Sequence, residues 1–235
     1  MRSLNEILEY LKDQSAEQYK ANVIKLGIPE NNSLGVPIPV LRKLAKTLKH
    51  SNGLAKDLWN SGYHEARLLS VLVVDPFTID HKWAIGLVDD VVSWDLCDHL
   101  CKGLLYNLPE YEDLILSWQN DSRLYHKRTA FVLIATAVVY DKEMPLTQIA
   151  EYLEIIRNHE ADSRPHVKKA ISWALREIGK RDIASHKKAK PIAEQLAQDA
   201  DKNKQWVGKD ALKELNQLVQ TDARKRLKRK KPTSK

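Results

Sequence analysis

The stretch Lys127-Arg128-Thr129-Ala130-Phe131 places a basic residue before small and apolar residues. The same local pattern returns further along the chain, at Lys168-Lys169-Ala170-Ile171-Ser172 and at Gly208-Lys209-Asp210-Ala211-Leu212. The second residues of the three stretches are 41 and 40 positions apart, and they are Arg128, Lys169 and Lys209. A regular spacing of this length indicates that one pair of helices is repeated along the chain.

The sequence around this pattern is helical in character. Apolar residues recur at intervals of three and four in about a dozen segments. Ser3-x-x-Glu6 and Ser15-x-x-Gln18 have the capping-box pattern of helix starts. No stretch alternates convincingly between apolar and polar residues as a solvent-facing strand does. We therefore predict an all-α fold, a right-handed α-solenoid of HEAT-like helical pairs with a concave basic cleft.

A basic residue at the same place in successive repeats would form a stripe along one wall of such a solenoid. Backbone phosphates of nucleic acid are the natural ligand of such a stripe. We assign DNA-backbone binding to five residues of these helices, which are Lys127, Lys168, Lys169, Arg176 and Lys209. The alternative interpretation is that these side chains belong to solvated helix starts.

The C-terminus carries the excess positive charge. The chain has 38 basic and 31 acidic residues, a formal net charge of +7. Eight basic residues and no acidic residue lie between Arg224 and Lys235, which leaves 30 basic against 31 acidic residues in the rest. Such a composition is typical of a disordered arm attracted to polyanions, although it also serves simply to keep a chain soluble. We therefore predict a repeat domain over residues 1–222 and a basic, disordered tail over residues 223–235.

Cysteine usage and hydropathy indicate the cellular setting. The only cysteines, Cys97 and Cys101, are too close together on a predicted helix to build a disulfide framework. Neither a secretory signal nor a long apolar run is evident. We expect a cytoplasmic protein, associated with the bacterial nucleoid when bound to DNA, with no membrane partner. Although His99 lies between the thiols, no second ligand pair accompanies them, and we expect no metal and no cofactor.

A second stretch, Ser93-Trp94-Asp95-Leu96-Cys97-Asp98, has the pattern of the first turns of a helix. Ser93 is a candidate N-cap, and Asp95 suits the positive end of the helix dipole. Trp94 and Asp98 are four residues apart and therefore project from one face. An aromatic face beside a carboxylate can hold a flat group and stabilise a cation next to it. A buried tryptophan with a solvated aspartate is the alternative interpretation.

Four motifs follow one another along the chain: Leu34-Gly35-Val36-x-x-Pro39-x-Leu41-Arg42, Ser93-Trp94-Asp95-x-x-Asp98, Arg128-x-Ala130, and Lys169-Ala170-Ile171-x-Trp173-x-Leu175-Arg176-Glu177. In order and spacing they resemble the motifs of the AlkD-type DNA alkylation repair glycosylases, a family built from HEAT-like repeats. The resemblance implies that Asp98 is the catalytic carboxylate and that Trp94 and Trp173 are cleft tryptophans. It also implies that Arg128 contacts DNA beside them. The family's cleft tyrosine has no match before the Leu-Gly motif, because Tyr19 lies far upstream.

The chemistry of these residue types suits the implied reaction. A purine alkylated at N3 or N7 is cationic, and cleavage of its glycosidic bond develops oxocarbenium character on the deoxyribose. A carboxylate at Asp98 can stabilise that charge and orient or deprotonate the attacking water. Indole faces at Trp94 and Trp173 can attract the cationic site, and a guanidinium can hold the neighbouring phosphate. The resemblance further implies that the base is not flipped into a pocket.

The sequence therefore predicts a monomeric DNA N-glycosylase, with residues 1–222 as its DNA-binding and glycosylase domain. Its substrate would be cationic N3- or N7-alkylated purines in double-stranded DNA, as in base-excision repair. Two other functions stay open. One is a non-catalytic HEAT-like solenoid that binds the DNA or RNA backbone. The other is a protein-binding scaffold, which would need an exposed apolar groove and would leave the pair of Trp94 and Asp98 unexplained.

Overall fold

A computed structural model describes residues 3–221 and 224–229 of the chain. Within these residues the α-helices are α1 (Leu4–Asp13), α2 (Glu17–Lys25), α3 (Ile38–Ala45), α4 (Asn52–Asn60), α5 (His64–Val73), α6 (His81–Gly86), α7 (Trp94–Gly103), α8 (Tyr111–Trp118), α9 (Leu124–Tyr140), α10 (Leu146–His159), α11 (Pro165–Arg181), α12 (Ile183–Ala197) and α13 (Lys202–Leu215). Short 3-10 helices span Leu87–Asp90 and Leu105–Asn107, and the two strands are β1 (Leu218–Thr221) and β2 (Arg224–Arg229). The helical prediction is therefore confirmed. No helix in this part of the chain is long and apolar enough to cross a membrane.

The helices form two compact units, one ending at Tyr111 and the other beginning at Glu112. In the first unit, α5 packs against α3, α4 and α7. In the second unit, α11 packs against α9, α10, α12 and α13. Arg128 and Lys169 are each the fifth residue of their helices, α9 and α11, and these helices lie side by side. The spacing of the sequence pattern thus corresponds to neighbouring helices of the second unit.

One of the two predicted capping boxes forms. The Ser3 side chain accepts a hydrogen bond from the backbone N–H of Glu6, and the Glu6 carboxylate accepts one from the backbone N–H of Ser3. The second prediction is wrong, because α2 begins after Ala16 and has no side-chain cap. The Ser15 hydroxyl instead donates to the backbone carbonyl of Leu34 at 2.5 Å. A long-range partner has replaced the local one.

The loop before α3 is organised by one buried carboxylate. Glu65 on α5 is 2% exposed, and it accepts hydrogen bonds from the Ser33 hydroxyl at 3.0 Å and from the backbone N–H groups of Leu34, Gly35 and Val36 at 2.8, 2.7 and 3.3 Å. Gly35 has a φ of +79°, and a Cβ there would lie 2.6 Å from Cβ of Lys20 on α2. The Leu-Gly motif therefore combines a left-handed backbone with a close approach that only glycine permits.

The end of α9 is capped by a buried arginine. Arg181 is 7% exposed, and its guanidinium donates to the backbone carbonyls of Val138, Asp141, Lys142 and Met144. The last carbonyls of a helix have no partner within the helix, and a cation suits the negative end of its dipole. Arg181 therefore connects the last residue of α11 to the end of α9.

Replacing this cap should destabilise the protein. Arg181→Met keeps the length of the side chain but leaves several buried carbonyls without their donor, at an expected cost of about 2 kcal/mol. Thermal denaturation should show a melting temperature lowered by about 4–8 °C. Arg157→Met, at an exposed arginine of α10 that donates to Gln195, should shift it by less than about 2 °C. Equal shifts in the two variants would contradict the capping role.

The C-terminal hairpin departs from the sequence-based prediction. Strands β1 and β2 pair antiparallel, with Leu218 opposite Arg229, and β2 packs on α11. The structure corrects both the predicted absence of strands and, over Arg224–Arg229, the predicted disordered tail. The physical reason is that this segment buries Leu227, which is 6% exposed, and that its arginines meet acidic side chains of α11 and α13. Residues 222–223 and 230–235 of the predicted boundary and tail lie outside the described residues.

Candidate active site

The first two turns of α7 present Trp94 and Asp98. Ser93 occupies the predicted N-cap position with an extended backbone, but its side chain makes no capping hydrogen bond. Trp94 is half-buried, and its Nε1 donates to the backbone carbonyl of Leu26 at 3.0 Å. Asp98 is half-buried one helical turn further on. Because Leu26 directly follows α2, the indole edge is fixed against the end of that helix while part of the ring stays accessible.

A hydrogen-bonded pair of side chains, His64 and Asp95, fixes the start of α7 against α5. His64 Nε2 lies 2.9 Å from Oδ2 of Asp95, and the histidine is 7% exposed. The other oxygen of Asp95 accepts the backbone N–H of Leu96 at 2.8 Å. Burial acts to raise the pKa of Asp95, but the hydrogen bond and charge of His64 outweigh it, and the pKa lies below its usual value. Asp95 therefore carries a negative charge at neutral pH and orients the turn that bears Trp94.

A tyrosine and a histidine that the sequence motifs do not indicate lie beside this turn. Tyr19, His64, Glu65 and Asp95 line one small cavity, about 20 Å³ in volume, in the first unit. Burial raises the pKa of Tyr19, and the negative charges of Asp95 and Glu65 add to the effect. The structure thus brings Tyr19 to the N-terminal end of α7 although it lies far upstream in sequence. The sequence signal that indicates this position of Tyr19 is Gly35, because a glycine is needed where the loop approaches Lys20 of α2 so closely.

Arg128 occupies a buried position between α9 and α11. It is 4% exposed, and its Nη1 donates to the backbone carbonyl of His166 at 2.5 Å. Burial lowers the pKa of His166, and the positive charges of Arg128 and Lys169 lower it further. Arg128 thus ties α9 to the first turn of α11. Its predicted contact with a DNA phosphate stays a prediction, and it would require this side chain to become more accessible.

Trp173 lies on α11, one helical turn after the exposed Lys169. It is half-buried, and its Nε1 donates to Oε1 of Glu177 at 3.1 Å. Glu177 is 6% exposed and pairs with Lys180, at 2.5 Å, and with Arg226. Although burial acts to raise the pKa of Glu177, the hydrogen bond and charge of Lys180 and the charge of Arg226 hold it below its usual value. The indole of Trp173 is therefore held by an ionised carboxylate.

The five lysines and arginines assigned to the DNA backbone are not equally available. Lys169 and Lys209 are exposed. The other three have protein partners: Lys127 pairs with Asp162 at 3.1 Å, Lys168 donates to Asn203 at 3.0 Å, and Arg176 lies 3.7 Å from Glu214. Burial acts to raise the pKa of Asp162, but hydrogen bonds from Arg164 and Lys127 lower it to about 2, so this carboxylate offsets nearby positive charge. Lys169 and Lys209 are consequently the better placed for phosphates.

Position along the chain separates the predicted catalytic residues into two sets. Trp94 and Asp98 belong to the first unit, and Arg128 and Trp173 to neighbouring helices of the second.

Over residues 3–221 and 224–229, no group of three or more His, Cys, Asp and Glu side chains could hold a metal ion. Both cysteines are buried and form no disulfide.

The sequence model of the family described as DNA alkylation repair enzyme matches residues 4–215, and the chain belongs to that family. A solved structure is described as "A new family of proteins related to the HEAT-like repeat DNA glycosylases with affinity for branched DNA structures". It is 18% identical and superimposes with a TM-score of 0.76 over 89% of this chain and 94% of that chain. At this identity the likeness shows the fold alone, which is a HEAT-like repeat fold. No curated protein matches the sequence.

Proposed function

We propose that the protein is a DNA N-glycosylase that hydrolyses the N-glycosidic bond of cationic N3- or N7-alkylated purines in duplex DNA. The observation that carries this proposal is the pairing of a half-buried tryptophan and a carboxylate, Trp94 and Asp98, on one face at the start of α7. Membership of the DNA alkylation repair enzyme family supports it. We further propose that it acts as a monomer in the cytoplasm, at the nucleoid when bound to DNA.

The proposed reaction divides the work between carboxylate and indole. Water attacks C1′ of the deoxyribose, the C1′–N9 bond breaks, and its electron pair goes to the purine, which leaves uncharged because it began as a cation. The Asp98 carboxylate stabilises the positive charge on the sugar and takes the proton of the attacking water. The Trp94 face packs against the cationic site. Because the hydrogen bond to Leu26 already fixes the indole edge, this face needs little reorganisation.

Phosphate contacts in this proposal come from the exposed lysines of the second unit. Lys169 and Lys209 bind the backbone and set the register of the duplex, without reading bases. Trp173 packs on the sugar–phosphate backbone, and Arg128 ties α9 to α11 through the carbonyl of His166 in addition to its predicted phosphate contact. Since these groups bind backbone and sugar, the damaged base can react without being flipped.

An excision assay tests the proposal directly. The substrate is a duplex with a single N7-methylguanine, the enzyme is in excess, and released base is measured against time. We expect first-order release well above the spontaneous rate, and no release from the same duplex with unmodified guanine. Binding without release would refute the proposed enzyme.

A second candidate function is non-catalytic binding of branched DNA. It is favoured by one observation, the HEAT-like repeat structure that is described as having affinity for branched DNA structures. Competition between a three-way junction and an alkylated duplex of equal length distinguishes the two. Tighter binding of the junction, together with no release of N7-methylguanine, would favour the second candidate.

The basic hairpin should contribute to non-specific DNA affinity. Lys225 and Lys228 are exposed on β2. In the double variant Lys225→Gln and Lys228→Gln, log affinity should fall less steeply with log salt concentration, the slope being smaller in magnitude by about 0.9 for each phosphate that the variant no longer neutralises. Excision at saturating enzyme should stay within about twofold, because no reacting group changes. Deletion from Arg224 onward would be a poorer test, since it also removes the buried Leu227.

The matched control for the hairpin prediction neutralises two exposed lysines of α12, Lys187 and Lys188. Both double variants lose the same formal charge. If the hairpin binds DNA directly, only the β2 variant should change the slope. Identical slopes for the wild type and the β2 variant would remove the hairpin from the DNA-binding surface.

A further inference from the structure

The carboxylate that holds Trp173 is itself held by the C-terminal hairpin. One oxygen of Glu177, Oε1, accepts the indole N–H of Trp173 at 3.1 Å and lies 2.5 Å from Nζ of Lys180. The other oxygen, Oε2, accepts a hydrogen bond from Nη2 of Arg226 on β2. Both oxygens of a carboxylate that is almost fully buried are therefore engaged, and each faces a different element.

The hairpin is anchored so that Arg226 can make this contact. Leu227, the next residue of β2, is 6% exposed. Arg229 at the end of β2 lies 3.6 Å from Oε1 of Glu214 on α13, and Lys180 is 3.3 Å from the same oxygen. An apolar contact and a second ion pair therefore flank the contact between Arg226 and Glu177.

The consequence for Trp173 follows from carboxylate geometry. A carboxylate bound at one oxygen alone can rotate about its χ3 torsion, which is broad for glutamate. A second charge-assisted bond at the other oxygen restricts that rotation and adds directional strength. The pairing also compensates the burial of the Glu177 charge, because an unpaired buried carboxylate is costly. Removing Arg226 would free the group that orients the indole.

We propose that the C-terminal hairpin is part of the framework that holds Trp173, and that Arg226 is a positioning residue that fixes the Trp173 indole through Glu177. The effect on the indole follows from the contacts within the second unit. The effect on excision rests in addition on the proposed glycosylase function. A basic tail segment thus acts on the protein itself, apart from any attraction to DNA.

The first test observes the indole. The six tryptophans give indole N–H signals in a ¹⁵N correlation spectrum, and Trp173→Phe assigns the Trp173 signal by its loss. Arg226→Gln should shift or broaden this signal, and Arg226→Lys should restore much of it. Lys188→Gln, which removes one charge from an exposed position of α12, should leave it unchanged. A Trp173 signal in Arg226→Gln that coincides with the wild type would overturn the proposal. An unchanged far-UV circular dichroism spectrum shows that a shift of the signal does not come from unfolding.

The second test measures the consequence for the reaction. Misplacing a substrate-positioning group lowers rates by up to about 100-fold, so Arg226→Gln should slow single-turnover excision about tenfold or more. Its DNA affinity should match that of Lys188→Gln, because each variant loses one positive charge and no proposed phosphate contact. An excision rate equal to that of Lys188→Gln would show that Arg226 acts as a charge only, against the proposal. If the wild type releases no base, the glycosylase function fails, whereas the indole measurement still decides whether Arg226 positions Trp173.

Discussion

Asp98→Asn is expected to lower the single-turnover rate of N7-methylguanine release about 100-fold, equivalent to about 2.7 kcal/mol of transition-state stabilisation. The substitution keeps the size of the side chain and its place one turn from Trp94, but it removes the charge that faces the sugar cation in the proposed reaction. An amide also cannot take the proton of the attacking water. DNA affinity should be unchanged or slightly higher, because one negative charge near the phosphates has been removed.

The matched control for this loss is Asp113→Asn, at an exposed aspartate of α8. It removes the same charge from the protein surface and should leave the excision rate within about twofold. Binding of each variant to the same duplex separates lost catalysis from lost affinity. Wild-type excision by Asp98→Asn would show that this carboxylate is not the catalytic group and would overturn the proposed division of roles at the start of α7.

The parts of the molecule that the sequence predicts well are those set by local geometry or by repetition. Trp94 and Asp98 share a face because residues four apart on a helix always do. Arg128 and Lys169 mark equivalent places on adjacent helices because a repeat carries the same pattern into each copy. In both cases the number of residues between two positions determines where they lie relative to each other.

Burial and long-range partners could not be predicted in the same way. The stripe of basic residues is interrupted because Arg128 is buried against a backbone carbonyl and Lys127 pairs with Asp162. Tyr19 reaches the start of α7 because Glu65 holds the intervening loop on α5 and Gly35 lets that loop approach α2. These relations depend on tertiary contacts between segments, which no pattern within a single helix reveals.

The C-terminal hairpin shows that amino-acid composition also fails to reveal tertiary contacts. A run of arginines and lysines predicts disorder, because like charges repel and few apolar residues are available to bury. Here the acidic partners lie elsewhere in the sequence, at Glu177 and Glu214. Charge statistics taken over the tail alone omit these partners, and so they overestimate the repulsion that keeps the segment unfolded.

Release by the proposed mechanism should depend on the charge of the damaged base far more than on its size. A neutral lesion such as ethenoadenine or hypoxanthine needs a proton before it can leave. The carboxyl group nearest in sequence to Asp98 on this face of α7, Asp95, has a lowered pKa and is ionised at neutral pH, so it cannot supply that proton. A cationic N3- or N7-alkylpurine needs none. Neutral lesions should therefore be released at least about 100-fold more slowly than N7-methylguanine.

A larger alkyl group on the purine should lower the release rate only slightly by comparison. If the enzyme contacts sugar and phosphate without enclosing the base, a large N7 substituent lies in the groove of the duplex and meets no wall of a pocket. Single-turnover release from matched duplexes should then give rates within about tenfold for methyl and bulky cationic adducts, since no transition-state contact distinguishes them. Efficient release of ethenoadenine would require an acid other than Asp95. Exclusion of a bulky cationic adduct would indicate a closed pocket, and either result would replace the proposed mechanism with base flipping.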